Sequence, residues 1–194
     1  MLFRSDQVAE WYHNLTPVQN QVKILREICS YIQDQGELKG GHPQIYYSVE
    51  NNTLGESALI CIQNIGEENF PGLFLSEPIR KGHVRKFRKG FNTTFGTKIA
   101  ICAKVKFMIE ENKMTLNSKS LISELKTFIA HGASFKAKQG EHDDLVSSLL
   151  LVVRMSQLLA EWDPAVFERI KVPSNWDTGE DFEPPMPIFV SLGM

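Results

Sequence analysis

Apolar residues recur along this chain of 194 residues at two spacings, which predict helices and strands in turn. After Thr16-Pro17, helical spacing of the apolar positions predicts a first helix, which the loop from Gly36 to Pro43 ends. Its apolar stripe is Val18, Val22, Leu25, Ile28 and Ile32. The same spacing predicts four more helices, at about Leu54 to Ile65, Thr97 to Glu111, Ser118 to Ile129 and Asp143 to Trp162.

Short runs between the helices are typical of strands, because they are rich in β-branched and aromatic residues or are bounded by turn residues. The predicted strands are Gln7 to Tyr12, Ile45 to Val49, Leu73 to Leu75, Met114 to Leu116 and Ser134 to Lys138. Strands that alternate with helices of this length indicate an α/β protein with a mixed, mostly parallel central sheet covered by helices.

Composition narrows the class of protein. A hydrophobic content of 42% and a charged content of 23% exclude a disordered, collagen-like or coiled-coil chain. The most apolar stretch, Leu145 to Val153, is shorter than the roughly 20 residues of a membrane span, and the N-terminus lacks the apolar region of a secretory signal. We therefore expect no membrane contact and no secretion. The widely spaced Cys29, Cys61 and Cys102 suit buried thiols better than disulfides or zinc.

The net charge of −2 hides two segments of opposite sign. No acid occurs between Glu77 and Glu110, where nine cations accumulate: Arg80, Lys81, Arg85, Lys86, Arg88, Lys89, Lys98, Lys104 and Lys106. This basic segment is predicted to be a loop or hairpin that either binds anions or is simply solvated. The interleaved Phe87, Phe91 and Phe95 either stack on DNA or pack in the core, and we expect core packing for at least two. Residues 163–194 are predicted to form an acidic, proline-rich, loop-like tail.

Acidic residues stand at two positions that suit chemistry. Glu50 follows the predicted strand IYYSV, at the edge where open α/β sheets bind ligands. Glu141-His142-Asp143-Asp144 leads directly into an apolar helix. Acids at a helix N-terminus often only cap backbone N–H groups and complement the helix dipole, and this explanation stays open here. One cap needs one acid, however, and an adjacent pair beside a histidine is a costly group of like charges unless a cation neutralises it. Carboxylates that converge at a sheet edge suit Mg²⁺ or Mn²⁺, especially where substrate phosphates supply further ligands.

Three segments, in this order and spacing, carry a resemblance to a known family: IYYSVENNTLGESAL, GFNTTFGTKIAICAKVKFMIEENKMTLNSKSLISELKTF and GEHDDLVSSLLL. From about Gln7 to Trp162 the chain resembles the C-terminal nuclease domain of the large terminase subunit of tailed bacteriophages, closest to the myovirus type. The resemblance implies a ribonuclease-H-like fold for a partial domain at residues 1–162, followed by the tail at 163–194. It also implies an endonuclease that cuts concatemeric viral DNA with two divalent cations.

Individual residues match the family's acids. Glu50 matches the fourth-strand acid, Asp143 or Asp144 matches the last-helix acid, and His142 matches its flanking residue. The resemblance implies that Glu50 and Asp144 bind Mg²⁺ or Mn²⁺, that Asp143 is a ligand or supports one, and that His142 orients water or a carboxylate. The implied DNA-binding residues are Arg80, Lys81, Arg85, Lys86, Arg88, Lys89 and Lys98. The implied partners are double-stranded DNA, the terminase motor domain, the small terminase subunit and the portal, in the host cytoplasm during virion assembly.

The chain departs from the family at its start. Its QVAEWYHN resembles the family's third strand, so the first two strands and their aspartate are absent, and no P-loop motif occurs. Asp6 is a poor substitute, because no glycine follows it. We therefore expect a fragment or split reading frame with very low nuclease activity. The strand Ile45 to Val49 would then have an open edge, filled by Gln7 to Tyr12 or, as we favour, by a second copy of the chain.

Two other functions stay open. The chain could be a non-catalytic DNA-binding or assembly module, which would retain DNA without cutting it. It could also be another ribonuclease-H-like nuclease such as a resolvase, which would prefer branched DNA. A flavodoxin-like small-molecule binder is less favoured, because no glycine-rich phosphate loop follows any predicted strand.

Overall fold

The structure is a computed structural model that describes residues 5–81, 84–132, 134–162 and 188–192, with the side chains at 79–87, 160–162 and 188–192 excepted. It is a mixed α/β arrangement of helices and small sheets. None of the helices described is long and apolar enough to cross a membrane.

A three-stranded parallel sheet lies at the centre, with β2 (Ile45–Val49) between β3 (Leu73–Phe74) and β9 (Ile188–Leu192). The middle strand β2 (Ile45–Val49) is buried at every residue. On one side it pairs with β3 (Leu73–Phe74). On the other side it pairs along its whole length with β9 (Ile188–Leu192), from Ile45 opposite Ile188 to Val49 opposite Leu192. Burial on both faces accounts for the mostly apolar sequence of β2, whose buried Ser48 hydroxyl donates to the Leu75 carbonyl over 2.8 Å.

Helices cover both faces of this sheet, as the sequence predicts. On one face, Ile45, Tyr47 and Val49 pack in a core with α1 (Val18–Leu38) and α2 (Thr53–Ile65). On the opposite face, Tyr46 packs with side chains of α5 (Asp144–Trp162). These α5 residues are Leu151, Met155, Leu158 and Leu159. Successive side chains of β2 point to opposite faces of the sheet, so this one strand packs against helices on both sides.

A second apolar core lies on the far side of α5. It joins α5 to α3 (Phe95–Glu110) and α4 (Lys119–Thr127). Side-chain caps define where three helices begin: Asn52 accepts from the Gly55 N–H at α2, Thr94 forms a capping box with Thr97 at α3, and Ser118 accepts from the Leu121 N–H at α4.

The remaining strands form small pairs. The basic segment forms an antiparallel hairpin of β4 (Ser76–Lys81) and β5 (Val84–Lys89), as predicted. A second hairpin joins β7 (Phe128–His131) to β8 (Ser134–Ala137). A short parallel pair joins β1 (Ser5–Asp6) to β6 (Met114–Thr115). A single 3₁₀ turn covers Glu67–Asn69.

The structure corrects three expectations. The predicted strand Gln7 to Tyr12 is wrong: the residues there form no regular element, and Val8 is 82% exposed, so the apolar positions have no sheet face to cover. Phe128 and Ile129 belong to β7 rather than to the preceding helix. The predicted open edge of β2 is wrong as well, because β9 fills it. This strand comes from the predicted loop-like tail, whose Ile-Phe-Val run is β-forming.

Candidate functional site

Glu50 lies where the sequence places it, directly beyond the carboxyl end of β2. It is half-buried and forms a parallel β-bridge with Phe91. The next residue, Asn51, donates its backbone N–H to the Phe91 carbonyl over 2.6 Å and its side-chain amide to the Lys89 carbonyl over 3.0 Å. The end of β2 is therefore bonded directly to the base of the basic hairpin.

Two glycines make this close approach of backbones feasible. A Cβ atom at Gly55 would lie 1.7 Å from the carbonyl oxygen of Glu50, so the first turn of α2 can contact Glu50 only without a side chain there. Gly90 has a φ of +70°, and a Cβ atom would lie 2.8 Å from the Val49 carbonyl oxygen. The absence of a side chain at both glycines therefore permits the close backbone packing around Glu50.

The start of α5 is capped by an acid that the sequence did not reveal. One carboxylate oxygen of Glu124, on α4, accepts the backbone N–H groups of Leu145 at 2.9 Å and Val146 at 3.1 Å. Burial raises the pKa of Glu124, and the charges of Asp144 and Asp143 raise it further, against the opposing effect of the two hydrogen bonds. Because Glu124 supplies the side-chain cap, the Asp143-Asp144 pair is not needed for capping, although Asp144 in the first turn also complements the helix dipole.

Lys98, on α3, forms an ion pair with this acidic group. Its Nζ lies 3.8 Å from a carboxylate oxygen of Asp143 and 5.3 Å from the centre of the Phe128 ring. Both side chains of the pair are partly exposed, at 21% for Lys98 and 29% for Asp143. Lys98 therefore neutralises part of the acidic group, a role that differs from the phosphate contact implied by the resemblance. His142 is exposed beside the pair.

The basic hairpin carries six of the seven predicted DNA-binding residues. Across its two strands Arg80 stands opposite Arg85, and Arg88 stands opposite Glu77. The backbone of Lys81 and Lys86 belongs to the same hairpin, but the side chains of Arg80, Lys81, Arg85 and Lys86 lie outside the described residues. Of the two whose side chains are described, Arg88 is exposed, and Lys89 pairs with Glu67.

A second unpredicted residue, Arg154, ties this hairpin to α5. Its guanidinium forms an ion pair with Glu77 on β4 and donates to the Asn92 carbonyl over 2.8 Å. The other carboxylate oxygen of Glu77 accepts the Asn92 backbone N–H at 3.0 Å. The guanidinium carbon also lies 5.2 Å from the centre of the buried Phe91 ring. This closed network lies beside a cleft of about 260 Å³ between the hairpin base, α3 and α5.

The predicted acids do not form a complete metal-binding group. Within the part of the chain that the structure describes, no three His, Cys, Asp or Glu side chains are placed to hold one ion. The strand beside β2 adds no acid, since β9 reads Ile-Phe-Val-Ser-Leu. Asp6 lies on β1, which pairs with β6 in a separate sheet. The oxygen ligands of Asp143 and Asp144 suit one hard cation, but the residues present do not fit a preformed two-metal site.

The aromatic residues of the basic segment divide between core and surface. Phe91 is 1% exposed and packs in the core under α5, whereas Phe95 is 54% exposed at the start of α3. The side chain of Phe87 lies outside the described residues. All three cysteines are free thiols, and burial raises the pKa of Cys29 to about 11, which keeps this thiol protonated and unreactive.

No protein-family model matches the sequence.

Proposed function

We propose that this chain is a DNA-binding, metal-dependent nuclease domain of the terminase type with a ribonuclease-H-like fold, whose own catalytic activity is very weak. The observation that carries the proposal is the Asp143-Asp144 pair, which heads α5 although Glu124 already caps that helix. The start of α5 carries carboxylates that helix capping does not explain, and the same helix anchors the basic hairpin. The acids and the cations of the hairpin are therefore suited to act together on a phosphate backbone.

Electrostatics favours a cation at the start of α5. Burial is the main cause of the raised pKa of Glu124, and the charges of Asp144 and Asp143 raise it further. Lys98 contributes one positive charge to this group through Asp143. A divalent cation would relieve the remaining like-charge repulsion, and a DNA phosphate would complete its oxygen ligands.

The hairpin supports the DNA part of the proposal. A two-stranded antiparallel hairpin with basic residues on both strands suits contact with phosphates, which gives affinity without reading the base sequence. Cutting of concatemeric DNA during packaging requires little sequence discrimination. The contacts assigned to Arg80, Lys81, Arg85, Lys86 and Arg88 are proposals of this kind, with smaller shares for Lys89 and Lys98, which are already paired with acids.

Weak catalysis follows from the acids that the chain provides. Mg²⁺ or Mn²⁺, when bound in pairs, activates water and stabilises the leaving oxygen in phosphodiester hydrolysis. By the resemblance Glu50 would also be a ligand, but the described acids are not placed to hold one ion together, so we assign the cation to Asp143 and Asp144, with the exposed His142 beside them to orient water. Because β9 brings no third acid to the strand beside β2, we expect one weakly held cation rather than a pair.

Calorimetric titration with Mn²⁺ tests the metal site. We expect weak binding by the parent chain and a clear loss of binding heat in Asp144→Asn. Glu141→Gln, shortly before Asp144 in the sequence, is the matched control and should keep the binding heat of the parent. Equal heats in the parent and in Asp144→Asn would contradict the assignment. Plasmid nicking in Mn²⁺ should be barely detectable, and vigorous nicking that Glu50→Ala abolishes would show that the catalytic set is complete.

A non-catalytic DNA-binding or assembly module is the second candidate, favoured by the lack of an acid on β9. It predicts retention of duplex DNA with no nicking at any Mn²⁺ concentration. A resolvase would instead bind branched DNA more tightly than linear DNA. The terminase motor domain, small terminase subunit and portal are proposed partners on the resemblance alone.

A further inference from the structure

The base of the basic hairpin is joined to the end of β2 through Asn51, and each hairpin strand is also attached to the rest of the protein by a side-chain ion pair. On β4, Glu77 is bonded to Arg154 of α5, and on β5, Lys89 is paired with Glu67 of the 3₁₀ turn. The two attachments differ in burial. The side chains of Glu77 and Arg154 are 17% and 16% exposed, whereas those of Glu67 and Lys89 are 39% and 57% exposed. The Arg154 attachment is therefore the less hydrated of the two, and loss of one partner would leave the other charge partly buried and unpaired.

Arg154 makes three different contacts at once, which restricts the orientation of its guanidinium. It pairs with the Glu77 carboxylate, donates to the Asn92 carbonyl and lies over the Phe91 ring. Glu77 in turn accepts from the Asn92 N–H, so the carboxylate is held from two sides. A planar guanidinium supports such a multiple contact, while a lysine ammonium does not.

We infer that Arg154 is a positioning residue that holds the basic hairpin at a fixed place relative to the acids at the start of α5. Arg154 lies ten residues after Asp144 on one continuous helix, which is a rise of about 15 Å. Along one strand of a duplex that distance spans about four phosphates. A hairpin fixed at this spacing lets its cations and the Asp143-Asp144 pair act on the same short stretch of DNA. This inference rests on the proposed function for its ligand but not for its geometry.

The sequence context agrees with a dedicated role. Arg154 is the single charged residue of α5 between Asp144 and Glu161, in a stretch that is otherwise uncharged and mostly apolar. Glu77 is the last acid before the basic segment, and its pairing with Arg154 keeps its negative charge from cancelling a cation of the hairpin. A partly buried charge in such a helix is costly unless its partner is fixed.

The closing experiment measures hairpin placement without DNA. Spin labels are attached at Val84→Cys on the hairpin and at Glu141→Cys before α5, in a chain with Cys61 and Cys102 replaced by Ala and the buried Cys29 retained. We expect a single narrow distance distribution in the parent. The charge-neutral double variant Glu77→Gln with Arg154→Gln should broaden or shift it by several ångströms. An unchanged distribution would overturn the inference.

Two further variants separate positioning from general stability. Arg154→Lys keeps the charge but not the planar contacts, so it should broaden the distribution partially even where the double variant unfolds. Arg88→Gln, a loss of charge on the hairpin itself, should leave the distance unchanged. If the distance distribution in Arg154→Lys is as narrow as in the parent or narrower, while the melting temperature falls, Arg154 only stabilises the fold and does not position the hairpin.

Duplex binding then links the placement to the proposed function. The neutral double variant should bind DNA about 2- to 30-fold more weakly than the parent at an unchanged salt slope, because it removes no cation that contacts phosphate. Arg88→Gln should lower the slope instead. A parent that fails to bind DNA would overturn the proposed function while the distance measurement still decides the role of Arg154.

Discussion

Replacement of Glu124 tests how the start of α5 is held. Glu124 on α4 accepts two backbone N–H groups of α5, at 2.9 and 3.1 Å, and therefore joins two helices that are separate in sequence. Glu124→Ala leaves these donors without a side-chain partner. Loss of a capping side chain costs about 1 kcal/mol of folding free energy, within a range of roughly 0.5 to 2. For a chain of this length that corresponds to a fall in melting temperature of roughly 2 to 4 °C.

Glu124→Gln separates the hydrogen bonds from the charge. The glutamine keeps an acceptor oxygen but removes the carboxylate that burial and the neighbouring aspartates disfavour. Because the folded-state pKa of Glu124 is raised, the folded protein binds this proton more tightly than the unfolded chain does. The contribution of Glu124 to stability therefore decreases as pH rises from its ordinary pKa of 4.5 through the raised value. The glutamine variant has no such decrease, so it should gain stability relative to the parent over the same interval.

Urea unfolding of the parent and both variants at several pH values between 4 and 8 provides the assay. We expect the alanine variant to be less stable than the glutamine variant throughout, and the glutamine variant to improve relative to the parent as pH rises. Glu110→Gln, whose carboxylate is exposed on α3, serves as the control. An alanine variant as stable as the parent would refute the capping role, and a relative loss by the glutamine variant at higher pH would refute the sign of the pKa shift.

Three more outcomes follow from the structure. Tyr47→Phe should leave the free energy of unfolding unchanged or raise it by up to about 1 kcal/mol, because the buried Tyr47 hydroxyl has no hydrogen-bond partner among the described residues. A loss of stability above that amount would contradict this. Replacing Arg85, Lys86, Arg88 and Lys89 by Ala should flatten the log-log salt slope of duplex binding by about 2.7, which is about 0.9 for each of three lost phosphate contacts. Lys89 is not counted, because it is already paired with Glu67. An unchanged slope would mean that the hairpin is merely solvated. Val190→Pro removes a backbone donor from β9, so it should expose the edge of β2 and cause the chain to associate, as measured by light scattering. Val190→Thr, the control, should not associate. A strictly monomeric proline variant would contradict this.

Local pattern predicted the helices well because each helix has its own apolar stripe. The stripe of α1 and the apolar length of α5 both appear within a single window of sequence. The strand β2 was predicted for the same reason, as a short β-branched and aromatic run. Gln7 to Tyr12 misled because alternation alone does not show whether a sheet face is available to cover it.

Long-range partners could not be read from local pattern. The pairing of β2 with β9 joins residues that lie far apart in the sequence, such as Ile45 and Ile188. The strand-forming run of β9 follows the acidic, proline-rich residues 163–187, which indicate a loop. Glu124 was missed because nothing on α4 itself indicates that its carboxylate reaches the start of another helix. Arg154 did leave a signal, as a lone charge in an apolar helix, which predicts a fixed partner somewhere in the fold.

The placement of the candidate site depends on α5 more than on any loop. Asp144 stands at its start, Arg154 at its middle, and Met155 and Leu158 pack beneath the central sheet further along. A helix keeps residues ten positions apart at a fixed rise of about 15 Å and a fixed angle about its axis. The sheet contact therefore fixes the helix, the helix fixes Arg154, and Arg154 fixes the hairpin base relative to the acids. Changes in the loops between these elements should move the candidate site far less than a change on the buried face of α5.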